Sequence, residues 1–250
     1  VRDSGLLAGR TILAQISTGA QLASLKALRE KYKLTESFVV FNFGQSPYYK
    51  VYGGSNGTTA VKKRLVELAR FLQDEKHLDV IFVPTWKDDV QANNYLAQAS
   101  GVKCTDGLLL LQDLLVLLKH AKLVVGHRLH AGVFAASVKT PFILFAYRLK
   151  SYDFATSNEA FLRSIVSHKI TLVKLKSKAR KLLEIGQEFE GVLADTSQLY
   201  ERLLQEYIHK NRNVWRNDCF SDRGQTVRWC VRNCKAVSKH VEGFAIFERC

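Results

Sequence analysis

From Ser37 onward, short unbroken apolar runs alternate with stretches whose apolar residues recur every three or four positions. "SFVVFNF" (Ser37–Phe43) and "LDVIFVP" (Leu78–Pro84) are rich in β-branched and aromatic residues, as buried strands are. Thr58–Glu75 carries Val61, Leu65, Leu68, Ala69 and Leu72 at helical spacing. The same reading predicts a helix over Asp88–Ala99, a short strand at Gly101–Cys104 and a helix over Leu108–Lys119. A strand at Lys122–Val125, a helix over Leu129–Val138 and a strand at Pro141–Ala146 follow. Beyond them come a helix near Asn158–Ser164, a strand near Lys169–Val173 and helices through Lys176–Tyr207.

Regular strand–helix alternation with short apolar strands predicts an α/β fold, a Rossmann-like parallel sheet with helices on both faces. No G-x-G-x-x-G is present, so the dinucleotide fingerprint is missing. The expected organisation is a remnant, edge or linker over residues 1–36, a Rossmann-like domain over 37–208 and a basic tail over 209–250.

In such sheets ligands bind beyond the carboxyl ends of the strands. The first strand ends in Asn42-Phe43-Gly44-Gln45 and the second in Pro84-Thr85-Trp86-Lys87-Asp88. The fourth ends in Gly126-His127-Arg128-Leu129-His130 and the fifth in Tyr147-Arg148-Leu149-Lys150. Cations thus stand where two apolar strands stop. The helix expected near Arg128 turns its first N–H groups and its dipole toward the same cleft, which favours an anion. Arg128 adds a planar fork suited to carboxylate or phosphate, and His130 brings the side-chain type that can exchange a proton near neutral pH. Singly, each of these is more often a cap or a solvated charge. Together they predict an anion site.

The 250 residues are 47% hydrophobic and 24% charged, ample for one large core or two small ones. The longest apolar run, "GLLLLQDLLVLL", is broken by Gln112 and Asp113 and reads as a buried helix rather than a membrane span. No basic-then-apolar leader opens the sequence. It starts at Val1 and holds no methionine, which reads as a fragment, a processed chain or one that has lost residues. The net charge of +14 suits polyanions, acidic membrane surfaces or anionic substrates. His209–Cys250 alone has nine Lys or Arg against four Asp or Glu. Cys104 reads as a small buried hydrophobe. Cys219, Cys230, Cys234 and Cys250 lack the close pairing of common zinc sites, so no metal is expected, and disulfides and free thiols both remain open.

The segment "VVGHRLHAGVFAASVKTPFILFAYRLKSYDF" resembles the hallmark of the polysaccharide pyruvyl transferase family. It carries a strand, a small residue, Arg-Leu-His-Ala, a helix of small residues, a Pro-started strand and Tyr-x-x-Lys. Here these are Gly126, Arg128, Leu129, His130, Ala131, Pro141, Tyr147 and Lys150, followed by Asp153-Phe154. The resemblance covers about residues 37–164, with Asp88 or Asp89 after "FVPTWK" in keeping with it.

It implies one half of a two-domain architecture like that of GT-B glycosyltransferases, with Val1–Ser4 closing a first domain mostly outside this chain. It also implies transfer of a pyruvyl group from phosphoenolpyruvate to two sugar hydroxyls as a ketal. Arg128 and His130 would be catalytic. Arg128, Leu129, His130, Tyr147, Arg148, Lys150, Asn42 and Gly44 would hold the donor. The expected partners are phosphoenolpyruvate, a sugar or glycan acceptor and, through the tail, an acidic membrane surface, with no cofactor and no specific nucleic acid. The expected location is the cytoplasm, at a membrane surface if the tail engages one, or the Golgi lumen in a eukaryote. The alternatives are a glycosyltransferase using a nucleotide sugar and, third, a non-catalytic basic module that binds polyanions.

Overall fold

The computed structural model describes residues 5–45, 54–146, 149–156 and 164–186. All lie in one of two units, Val1–Ser197; the other, Gln198–Cys250, is outside the described residues, as are the tail cysteines.

Six parallel strands form one sheet: β1 (Phe38–Asn42), β2 (Asp79–Phe82), β3 (Lys103–Cys104), β4 (Leu123–Gly126), β5 (Phe142–Ala146) and β6 (Ile165–Ser167). Their spatial order is β3-β2-β1-β4-β5-β6. The helices are α1 (Gly5–Ala14), α2 (Thr18–Tyr32), α3 (Gly54–Asp74), α4 (Val90–Ser100), α5 (Leu111–His120), α6 (Leu129–Ser137), α7 (Leu149–Thr156) and α8 over 172–186. The Rossmann-like parallel sheet read from the sequence is therefore present.

The sheet is laid down outward from β1 in one direction and then from β4 in the other. Right-handed crossovers put helices from the two directions on opposite faces. Accordingly α3 packs on α4, while α1 and α2 pack on α5 and α6. β1, β4 and β5 are buried along their whole length, which is why they read as continuous apolar runs. The two rim strands are the shortest, two residues in β3 and three in β6.

Two expectations need correction. The strand expected at Lys169–Val173 is β6, four residues earlier at Ile165–Ser167, paired with Leu144–Ala146 of β5. The later apolar residues belong to α8: Leu175, Ala179 and Leu182 are buried at helical spacing. The Thr171 hydroxyl accepts from Lys174 N (3.4 Å), and its carbonyl accepts from Leu175 N (3.0 Å), so Thr171 caps the start of the helix. Lys176 and Arg180 of α8 cover the Phe71 ring of α3, at 4.5 and 4.8 Å. Second, residues 5–36 do not stand apart from the sheet. Leu13, Leu25, Leu28, Tyr32 and Leu34 are buried in the same core as the strands. The helix expected near Asn158–Ser164 lies almost wholly outside the described residues, whereas α7 begins within the segment that reads as the end of the fifth strand.

Candidate functional site at the strand-order switch

β1 and β4 are neighbours, with Asn42 opposite Gly126, and successive strands run away from them in opposite directions. The crevice beyond their carboxyl ends is the point where open α/β sheets bind ligands. Asn42, Gly44, Arg128, Leu129 and His130 all lie there. Arg128 caps α6 with extended geometry, φ −75° and ψ 137°, so the helix starts at Leu129 and its first N–H groups point out of the carboxyl edge.

A buried polar network builds this edge. Asn42 donates through Nδ2 to the Val83 carbonyl (2.9 Å) and the Thr85 hydroxyl (3.2 Å), and its Oδ1 accepts from Arg128 N (3.2 Å). One side chain thereby ties together the ends of β1, β2 and β4. Asn93, on α4, accepts from Phe43 N (2.9 Å) and donates to the Phe43 and Asp89 carbonyls (2.8 and 2.7 Å).

The Arg128 fork already holds a carboxylate. Nε and Nη2 donate to Oδ2 and Oδ1 of Asp89, each at 2.8 Å, and the Asp89 side chain is fully buried. Asp89 also accepts from Gln45 N (2.7 Å), and Arg128 Nη2 donates to the Gln45 carbonyl (3.1 Å). The pair therefore clamps the backbone that follows β1. Gly44 has to be glycine here, because a Cβ would lie 2.5 Å from Arg128 Nε and 2.6 Å from its Cδ.

His127, one residue before Arg128, is buried and stacks on Phe43 with centroids 4.8 Å apart. Burial, reinforced by the Arg128 charge, lowers its pKa to about 3 against an opposing hydrogen bond with the Gly44 backbone. It stays neutral and structural. His130 differs: it is exposed, and its ring stacks on Phe134 at 6.0 Å. Lys62 of α3 sets its ammonium 5.5 Å from the Phe43 centroid, bringing a further cation to the end of β1.

Of the other predicted site residues, Lys150 is exposed at the start of α7, and Tyr147 and Arg148 lie outside the described residues. The next residue, Ser151, is buried, and its hydroxyl has no hydrogen-bond partner among the described residues. Sequence reading missed Asp89 as the partner of Arg128, and it missed Asn93, His127 and Lys62. Asp89 did carry a signal, as an acidic residue after "FVPTWK" in keeping with the family resemblance, but nothing local tied it to Arg128. It makes no side-chain cap bond.

The family model for polysaccharide pyruvyl transferase matches residues 20–148, just over half of the chain. The chain belongs to that family. Family membership makes it a transferase domain. The match starts earlier than residue 37, taking in most of α2, and ends just past β5. Comparison with curated proteins yields no match.

Among solved structures, the chain is similar to the C-terminal CMP-Kdo binding domain of WaaA from Acinetobacter baumannii, with 13% identity and TM-score 0.48 over 72% of this chain and 98% of that one. It is also similar to WaaG, a glycosyltransferase involved in lipopolysaccharide biosynthesis, with 16% identity and TM-score 0.42 over 71% of this chain and 46% of that one. A third likeness is to the trehalose-6-phosphate synthase OtsA, with 13% identity and TM-score 0.35 over 74% of this chain and 46% of that one. The chain spans under half the length of WaaG and of OtsA. No helix among its described residues is long and apolar enough to cross a membrane.

Proposed function

We propose that the crevice between β1 and β4 binds phosphoenolpyruvate and that the enzyme transfers its pyruvyl group to two hydroxyls of a sugar acceptor as a ketal. The observation that carries this reading is the start of α6 at the strand-order switch, with Arg128, Leu129 and His130 in its first turn. A helix start offers N–H groups and a favourable dipole to the donor's carboxylate and phosphate.

In this reading Asp89 orients the Arg128 guanidinium, and the part that remains exposed meets the donor. Because Asp89 balances the Arg128 charge, the net positive charge felt by the donor comes from the helix start and Lys150, with His130 as the proton donor. Asn42 and Gly44 shape the floor.

His130 gives a proton to the donor's methylene carbon, which becomes a methyl group while the second carbon turns electrophilic. One acceptor hydroxyl adds to that carbon. The bond to phosphate then breaks, phosphate leaves, and the second hydroxyl closes the ketal. The two hydroxyl protons are balanced by the methyl group formed and the phosphate released. Cationic groups at the strand ends stabilise phosphate as its charge develops.

Phosphoenolpyruvate should raise the melting temperature of the purified chain; at about 100 times its dissociation constant a ligand adds about 2.7 kcal/mol. Stabilisation by nucleoside diphosphates and not by phosphoenolpyruvate would replace this reading with glycosyl transfer from a nucleotide sugar. Steeply salt-dependent polyanion binding that ignores His130 would replace it with a basic binding module.

A further inference from the structure

The loop after β2 exposes an aromatic residue and a carboxylate side by side. Trp86 is 38% exposed, and its indole Nε1 donates to Asp88 Oδ2 at 3.2 Å. That bond fixes the ring plane and leaves the second Asp88 oxygen for another donor. The next residue, Asp89, turns inward to Arg128, so this loop is continuous with the candidate site. On the neighbouring strand, the loop after β3 exposes Leu108 and Leu110, at 53% and 66%.

A flat apolar ring beside an acceptor-rich carboxylate matches the two faces of a pyranose. The C–H face lies on the indole, and hydroxyls donate to the carboxylate. From this we infer that Trp86 and Asp88 form a sugar-binding subsite, which seats the acceptor's ring beside the reacting centre. A nucleobase would stack on the ring but would not need the carboxylate at its edge. The acceptor role rests on the pyruvyl-transfer reading, whereas sugar binding itself can be tested without donor.

The test is saturation-transfer NMR on the purified chain with methyl glycosides of glucose, galactose and mannose. At least one should show transfer centred on its ring C–H protons. Trp86→Ala should weaken that binding up to about tenfold, the size of a lost aromatic contact. Trp86→Phe should restore part of it, and Asp88→Ala should weaken it separately. Thermal stabilisation by phosphoenolpyruvate should survive all three substitutions, which also shows that the variants fold. No transfer with any glycoside, equal transfer in wild type and Trp86→Ala, or a Trp86-dependent response to uridine diphosphate alone would overturn the subsite. Trp86-dependent sugar binding without any response to phosphoenolpyruvate would sustain the subsite and sink the donor assignment.

Discussion

Arg128 and Asp89 are joined by two hydrogen bonds of 2.8 Å, and the carboxylate they share has no contact with solvent. Removing the arginine leaves a buried charge without its counterion. Arg128→Ala should therefore cost about 3 kcal/mol or more in urea denaturation, before any ligand is considered. Arg128→Lys keeps the charge but loses the fork and should recover only part of this. The double variant Arg128→Met/Asp89→Leu should be more stable than Arg128→Ala alone. A loss within about 0.5 kcal/mol for Arg128→Ala would mark the arginine as a solvent-facing group.

His130 should matter to turnover more than to affinity. Glutamine at this position keeps a hydrogen-bonding group but cannot deliver a proton to carbon. In the full enzyme, His130→Gln should lower turnover by about 100- to 10,000-fold with donor affinity near normal. Calorimetry for donor binding and phosphate release for turnover separate the two effects. Undiminished turnover in the His130→Gln variant would reduce His130 to a helix-start residue.

The buried His127 should give the fold an acid-sensitive limb. Its pKa is depressed from 6.5 to about 3 on folding, so below about pH 6.5 the unfolded chain takes up a proton that the native chain refuses. Stability therefore falls as pH drops from about 6.5 toward 3, by up to tenfold in the folding constant per pH unit. Above that window the group contributes no slope. His127→Gln should flatten the difference between pH 6.5 and pH 4 in chemical denaturation, even if it lowers stability throughout. An unchanged acid limb would show that other groups cause it.

Gly44→Ala should disturb the site through Arg128. The new methyl would have to displace the Arg128 stem, which Asp89 and Gln45 hold in place. A loss of about 1–3 kcal/mol is expected, the usual cost of overpacking. Pairing it with Arg128→Ala should erase most of that cost, because the obstacle is then gone. Additive losses would show that the strain lies in the backbone.

Ser151→Ala should stabilise the ligand-free chain. The hydroxyl is buried and has no hydrogen-bond partner among the described residues, so its desolvation is uncompensated. Relief of such a group is worth about 1–3 kcal/mol at most and should appear as a raised melting temperature. A lowered one would mean that the hydroxyl is satisfied.

The sheet was readable from sequence because parallel strands covered on both sides must be apolar throughout, as "FVVFN" and "FILFA" are. The site was readable as a set of strand ends, since parallel strands carry all their carboxyl ends to one edge. What could not be read was adjacency. Nothing local tells that Asn42 sits opposite Gly126, or that Asp89 reaches an arginine 39 residues later. Each residue has an adequate local explanation, a strand end or a helix cap, and only the strand order brings them together. The sixth strand was misplaced for the opposite reason. Its three residues make too short a pattern, and the apolar residues that follow them, being part helix, made a stronger one.

Among the described residues, the shortness of β3 and β6 leaves little for another chain to pair with. A sheet rim recruits another chain through its unpaired N–H and C=O groups, and a rim two or three residues long has few to offer. Fibre-like growth by strand addition thus finds little template at either rim, however apolar the strands between them.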